Sequence, residues 1–225
     1  MNMSTHEASD SSRFRSAAIL SLTMVGILWL VYLGASILDI SITQFGIYPR
    51  RISGLTGIAF APIIHGSFAH LVSNSLPIII LGTALMYGYP RSAWAVLGFL
   101  YVGSGLGVWL IARDAYHIGA SGVTTGMLFF IFIIGLLRRD PRAIVLSMLV
   151  FFLYGSMVWG VFPSDPSVSF ESHLCGAVMG AILAIVFRNT DSKLQKKRYS
   201  WEGETLEDPE VLEPDSNPDD SRRYH

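Results

Sequence analysis

Two short clusters in this chain could do chemistry together. Gly119-Ala120-Ser121-Gly122 opens one apolar segment, and His173-Leu174-Cys175-Gly176, followed by Gly180, opens another. Serine is a weak nucleophile until a base takes its proton. Imidazole, with a near-neutral pKa, suits that task. Ser121 is expected at a helix N-terminus, where free N–H groups and the dipole favour developing negative charge. Gly119 and Gly122 allow a tight turn and the approach of a substrate carbonyl. Gly176 and Gly180 form a small-xxx-small face, and His173 lies one turn before Gly176 on that face. Close packing of the two segments would bring imidazole to hydroxyl. Each cluster alone has a plainer reading: small-residue helix packing for Gly-Ala-Ser-Gly, and an interfacial histidine bonded to a loop for His173. Held together inside a bilayer, the pair is too costly to keep without a role.

His70 and Asn74, spaced i, i+4, share a helix face and can both donate hydrogen bonds. Donors aimed at the oxyanion of an acyl-transfer intermediate are typically worth ~3 kcal/mol each. The alternative is polar glue between helices. His65 lies on another face or ahead of the helix. No acidic or cysteine ligand accompanies these histidines, so neither a metal nor a cofactor is expected. His117 is a rival base but reads as a solvated loop histidine. Glu171, two residues from His173, reads as a loop residue, which points to a dyad without an orienting carboxylate. Cys175 reads as a small packing group, and the Trp and Tyr residues as interfacial anchors.

The elements that must hold these groups are membrane spans. Of 225 residues, 51% are hydrophobic and only 15% charged; mean hydropathy is +0.46. A soluble domain of this length needs more polar surface. The net charge of −1 says little, because the charges gather at the ends. A single cysteine excludes an intramolecular disulfide framework. Six spans are predicted near Ala17–Leu38, Phe68–Gly88, Ser92–Ala112, Gly119–Leu137, Ala143–Phe162 and Ser172–Arg188. Each approaches the ~20 residues that cross a ~30 Å hydrocarbon core. No Asp, Glu, Lys or Arg falls inside them. The run after Arg13 and Arg15 is too long for a signal peptide and reads as a retained first helix.

Lys and Arg crowd one side of the short flanks, with only Arg50, Arg51 and Arg113 on the other. Both termini are therefore expected in the cytoplasm. Ser121, His173, His70 and Asn74 then fall at similar depth on the outer side. The expected organisation is a polar N-terminus over 1–16, a six-helix membrane domain over 17–188, and a basic then acidic tail over 189–225. That tail is too polar to pack and is expected to be disordered.

With these residues in place, the chain resembles a rhomboid intramembrane serine protease. The resemblance rests on His65-Gly66-Ser67-Phe68-Ala69-His70-Leu71-Val72-Ser73-Asn74, on Gly119-Ala120-Ser121-Gly122, and on Trp159-Gly160-Val161-Phe162-Pro163 leading to Ser169-Phe170-Glu171-Ser172-His173-Leu174-Cys175-Gly176. It covers roughly Ala17 to Arg188. It implies an all-α integral membrane protein, a six-transmembrane-helix bundle that cleaves in or near transmembrane segments of other proteins. By motif position it implies Ser121 as nucleophile, His173 as general base and acid, His70 and Asn74 in the oxyanion hole, and His65 as a supporting residue. A first loop over about Asp39 to Ile64 would lie partly in the outer leaflet, and the fifth span with the loop after it would gate substrate. Two positions depart from the pattern. The first loop carries Arg50 and Arg51 without the Trp that many rhomboids place beside the Arg. Thr125 stands where many carry an aromatic residue stacked on the catalytic histidine.

Two other classes remain in view. A catalytically silent rhomboid-like binder usually lacks the serine or the histidine, and this chain has both. A small transporter or channel is disfavoured by spans without ionisable residues at mid-membrane. The partners expected are transmembrane protein substrates and the lipid bilayer, with no nucleic acid. A prokaryotic plasma membrane is the expected location.

Overall fold

The apolar segments form helices because, in hydrocarbon, each backbone N–H and C=O must be satisfied within its own segment. The computed structural model describes residues 3–163, 165 and 168–191, with side chains from residue 10 onward. The helices are α1 (Met3–Ile37), α2 (Gly57–Phe60), α3 (Phe68–Gly88), α4 (Ala93–Ile111), α5 (Ser121–Arg138), α6 (Pro141–Tyr154) and α7 (Phe170–Phe187). Six segments are long and apolar enough to cross a membrane, with α6 continuing through a 3₁₀ stretch to Val161. The chain is thus an all-α, multi-pass membrane protein. The acidic tail expected after residue 189 lies, beyond Asp191, outside the described residues.

α5 is the central helix, with 67% of its most apolar window buried. Its partner α7 packs backbone to backbone. A Cβ on Gly176 would sit 1.9 Å from the Gly122 carbonyl oxygen, and one on Gly180 would sit 2.2 Å from that of Gly126. The rising register of these pairs makes α5 and α7 parallel. The glycine face read from the sequence is therefore the contact face, and close approach is why the residues are glycine. α3 runs the same way, with His70 near its start against Gly119 and Tyr89 just past its end against Phe130. α1 packs peripherally on α3 through Val25, Leu28, Leu71 and Ile78.

Several boundaries differ from expectation. α1 starts at Met3 rather than near Ala17, so the N-terminal residues from Met3 onward continue the helix. α5 starts at Ser121 rather than Gly119, because Gly119 has φ +102° and cannot be helical. α5 also keeps Arg138, which is buried and ion-paired to Asp140 at 2.9 Å. α6 stops at Tyr154, and Gly155 opens the tighter 3₁₀ turns. α7 starts at Phe170, two residues early, because Ser169 caps it by accepting from the Ser172 N–H.

The end of the bundle opposite Ser121 carries its own polar lock. The Asp191 carboxylate accepts from Arg91 N at 2.8 Å and Ser92 Oγ at 2.6 Å. The Asp191 carbonyl accepts from Arg138 Nη1 at 2.8 Å. Buried charges persist only when paired in this way.

Candidate active site

Ser121 is the first residue of α5. No side chain caps that helix, so its first-turn N–H groups have no partner of the usual kind. Gly119 precedes it in the left-handed region and donates its N–H to the Ala61 carbonyl at 2.8 Å. The His70 ring lies on that glycine: a Cβ there would meet ring atoms at 2.5 and 2.6 Å. Gly122 admits the Ser172 carbonyl, 2.9 Å from where its Cβ would be. Both glycines flanking Ser121 are thus occupied by elements that carry other predicted site residues.

Ser121, His173, His70 and Asn74 all line one cavity of about 1210 Å³. Its far wall comes from α6 and the 3₁₀ stretch, through Leu153, Tyr154 and Met157. Asn74 is buried and donates Nδ2 to the His70 carbonyl at 2.9 Å, which fixes its amide and leaves a second N–H. No hydrogen bond joins Ser121 to His173 among the described residues. His173 Nδ1 is buried without a partner, and a Cβ on Gly160 would sit 2.2 Å from it. The imidazole is therefore backed by the Gly160 backbone. Thr125 does not take that role, since its Oγ1 is buried without a partner.

His65 is buried ahead of α3, with its ring edge-on to His70 at 4.9 Å. Burial pushes its pKa down to about 4, and His70 acts in the same direction. Desolvation therefore favours the neutral ring near pH 7. Among the described residues, no three His, Cys, Asp or Glu side chains converge as metal ligands would.

Two expectations are corrected. His117 is not a solvated loop histidine: it is 3% exposed, with Nδ1 2.6 Å from Ser169 Oγ and Nε2 3.0 Å from the Arg113 carbonyl. Glu171 is not a loop residue: it sits buried in the first turn of α7 and pairs with Arg113 at 3.7 Å. Its contacts run to Arg113 and Ser169, so they do not orient His173. Cys175 packs against Gly107 as a small buried group, as expected.

The first loop is anchored without a neighbouring Trp. Arg50 donates Nη1 to the Ala112 carbonyl at 2.7 Å and pairs with Asp114. The indole comes instead from α4: Trp109 Nε1 donates to the Arg51 carbonyl at 2.8 Å. A backbone bridge between Ile47 and His117 ties the loop to the segment before Ser121. Sequence reasoning missed Gly160, Trp109 and Ser169 as parts of the site. Gly160 and Ser169 both lay in the stretches that carry the family resemblance, and Ser169 also carried a capping signal, a serine followed by Glu171 in the first turn of a helix.

Comparison with known proteins places this geometry in context. A family described as the Rhomboid domain matches residues 52–190. Uncharacterized proteins of Mycobacterium tuberculosis and Mycobacterium bovis are each 36% identical over 186 residues, 76% of this chain and 75% of theirs. One from Mycobacterium leprae is 32% identical over 197 residues, 83% of this chain and 78% of its own.

Proposed function

The chain belongs to the rhomboid family, and from that premise we propose that it is an intramembrane serine endopeptidase acting on transmembrane segments of other proteins. The observation that carries this reading is the convergence of Ser121, His173, His70 and Asn74, from three separate helices, on one cavity. In this reading Ser121 Oγ attacks the scissile carbonyl while His173 takes its proton. His173 Nδ1 is buried against Gly160, so Nε2 is the ring nitrogen that works on the cavity side. Negative charge on the carbonyl oxygen is met by the Ser121 N–H, Asn74 and His70. The protonated His173 then gives its proton to the leaving amine, and water releases the acyl group by the reverse sequence. Substrate enters between α3 and α6, past Val72 and Leu76 on one side and Leu153 on the other.

We place both termini in the cytoplasm of a prokaryotic plasma membrane, with a membrane domain over 17–188 between a polar segment over 1–16 and a tail over 189–225. A second reading has one observation in its favour. His117 and Ser169 form the shortest Ser–His contact, 2.6 Å, and also line the cavity. Against it, Ser169 Oγ is committed to the cap of α7, accepting from the Ser172 N–H, and is 2.8 Å from Ser172 Oγ. A fluorophosphonate probe on the purified protein, followed by peptide mapping, separates the readings. Label on Ser121 that disappears in Ser121→Ala and His173→Ala supports the proposal. Label on Ser169, or proteolysis that survives Ser121→Ala, overturns it.

A further inference from the structure

His117 and Ser169 stand in matching places. His117 lies four residues before Ser121, and Ser169 lies four residues before His173. Each is built into the support of its own helix. His117 exchanges both backbone hydrogen bonds with Ile47, at 2.9 Å each, which pins it to the anchored first loop. Ser169 is the cap of α7, and its carbonyl accepts from the His173 N–H at 3.4 Å. The 2.6 Å contact between their side chains is thus a strut across the two segments that lead into the proposed nucleophile and base.

For a neutral His117 ring, the donors and acceptors present give the direction of the protons in this strut. The Arg113 carbonyl can only accept, so His117 Nε2 carries a proton and donates to it. In the neutral ring Nδ1 is then an acceptor, and the Ser169 hydroxyl must donate to it. A hydroxyl has one proton and two acceptor sites. The proton goes to His117, and the acceptor sites take the Ser172 N–H at 3.3 Å and the Ser172 hydroxyl at 2.8 Å. Ser169 is saturated and its position is over-determined. The Glu171 carboxylate lies 3.4 Å from Ser169 Oγ and pairs with Arg113.

We propose that His117 and Ser169 are positioning residues: their hydrogen bond sets the separation between Ser121 and His173 and so the competence of the dyad. The inference rests on the reading of Ser121 and His173 given above. It gives a role to a buried histidine beside the site that the Ser121–His173 reading does not use. It also explains how His173 is placed when, among the described residues, no ring stacks on it and no carboxylate touches it.

Two measurements on the full-length protein in detergent test it. The first needs no activity. In a Ser121→Cys, His173→Cys, Cys175→Ala background, the rate of disulfide formation reports how often positions 121 and 173 meet. Adding His117→Leu should slow it several-fold, and His117→Asn, whose amide oxygen can accept from Ser169, should restore most of the rate. The second is a kinetic cycle on a transmembrane substrate. His117→Leu and Ser169→Ala should each lower kcat by roughly tenfold to a hundredfold with KM little changed. The double variant should lose no more than the worse single variant, because the two act as a unit.

Crosslinking that is indifferent to His117→Leu overturns the strut, as do losses that multiply in the double variant or that fall on KM. The two proposals fail differently. If Ser121→Ala keeps full activity while crosslinking still depends on His117, the dyad assignment fails and the strut stands. If Ser121→Ala is dead but His117→Leu matches the parent in both assays, only the strut fails.

Discussion

Gly160 and His173 are in direct contact, with the glycine backbone lying where any side chain would strike the imidazole. A Cβ at Gly160 would sit 2.2 Å from Nδ1 and 2.9 Å from Cε1. The base of the proposed dyad is therefore held by the 3₁₀ segment after α6, the same element that walls the cavity. Gly160→Ala is expected to push the ring off its position. It should lower kcat by about tenfold or more while the protein still folds, since the displaced atoms belong to one side chain. Kinetics on a transmembrane substrate would check this, and an unchanged kcat would show that the ring relaxes freely.

Asn74 is expected to act on the transition state. Its buried amide is fixed by the bond to the His70 carbonyl, which leaves one N–H to offer the cavity. Asn74→Ala should reduce kcat by roughly a hundredfold or more with a smaller effect on KM. A rise in KM at constant kcat would make Asn74 a residue for substrate binding or packing instead.

The α5–α7 contact predicts a sharp contrast between glycines. Gly176→Ala places a methyl 1.9 Å from the Gly122 carbonyl oxygen, so the two helices must part. Overpacking of this kind costs about 1–3 kcal/mol, and separation of α5 from α7 should also lower activity. Gly98 on α4 has open space where its Cβ would go, and Gly98→Ala should be neutral or slightly stabilising. Thermal unfolding of both variants in detergent tests the pair. Equal behaviour would contradict the backbone contact.

At the other end of the bundle, Asp191→Ala should destabilise the protein by about 1–3 kcal/mol, because Arg91 N and Ser92 Oγ lose a buried acceptor. Truncation after Arg198 keeps Asp191 and should leave stability and detergent activity near the parent level. Comparing unfolding midpoints of the two proteins decides it. A severe loss of kcat in the truncated form would make the tail part of the catalytic machinery.

Much of this protein was legible in its residues. The spans from Phe68 to Gly88 and from Ala93 to Ile111 were readable to within a residue because hydrocarbon imposes one length and one backbone geometry. The α5–α7 contact was readable because only glycine permits backbones to touch, and Gly122, Gly176 and Gly180 announce it. Ser121, His173, His70 and Asn74 stood out because such polar groups are rare in apolar spans, and the fold brings all four to one cavity.

What the tertiary structure decided is how those groups are held. His117 looked like a solvated loop residue because its burial depends on Ile47 and Ser169, which local sequence does not bring near it. Glu171 looked external because its partner Arg113 lies 58 residues away. Trp109 reaches the Arg51 carbonyl from α4, and Gly160 backs the His173 ring from another span. Chemistry is written in residue type, and spans in local pattern. The orientation of a base depends on contacts between distant segments, and only the packed fold brings those together.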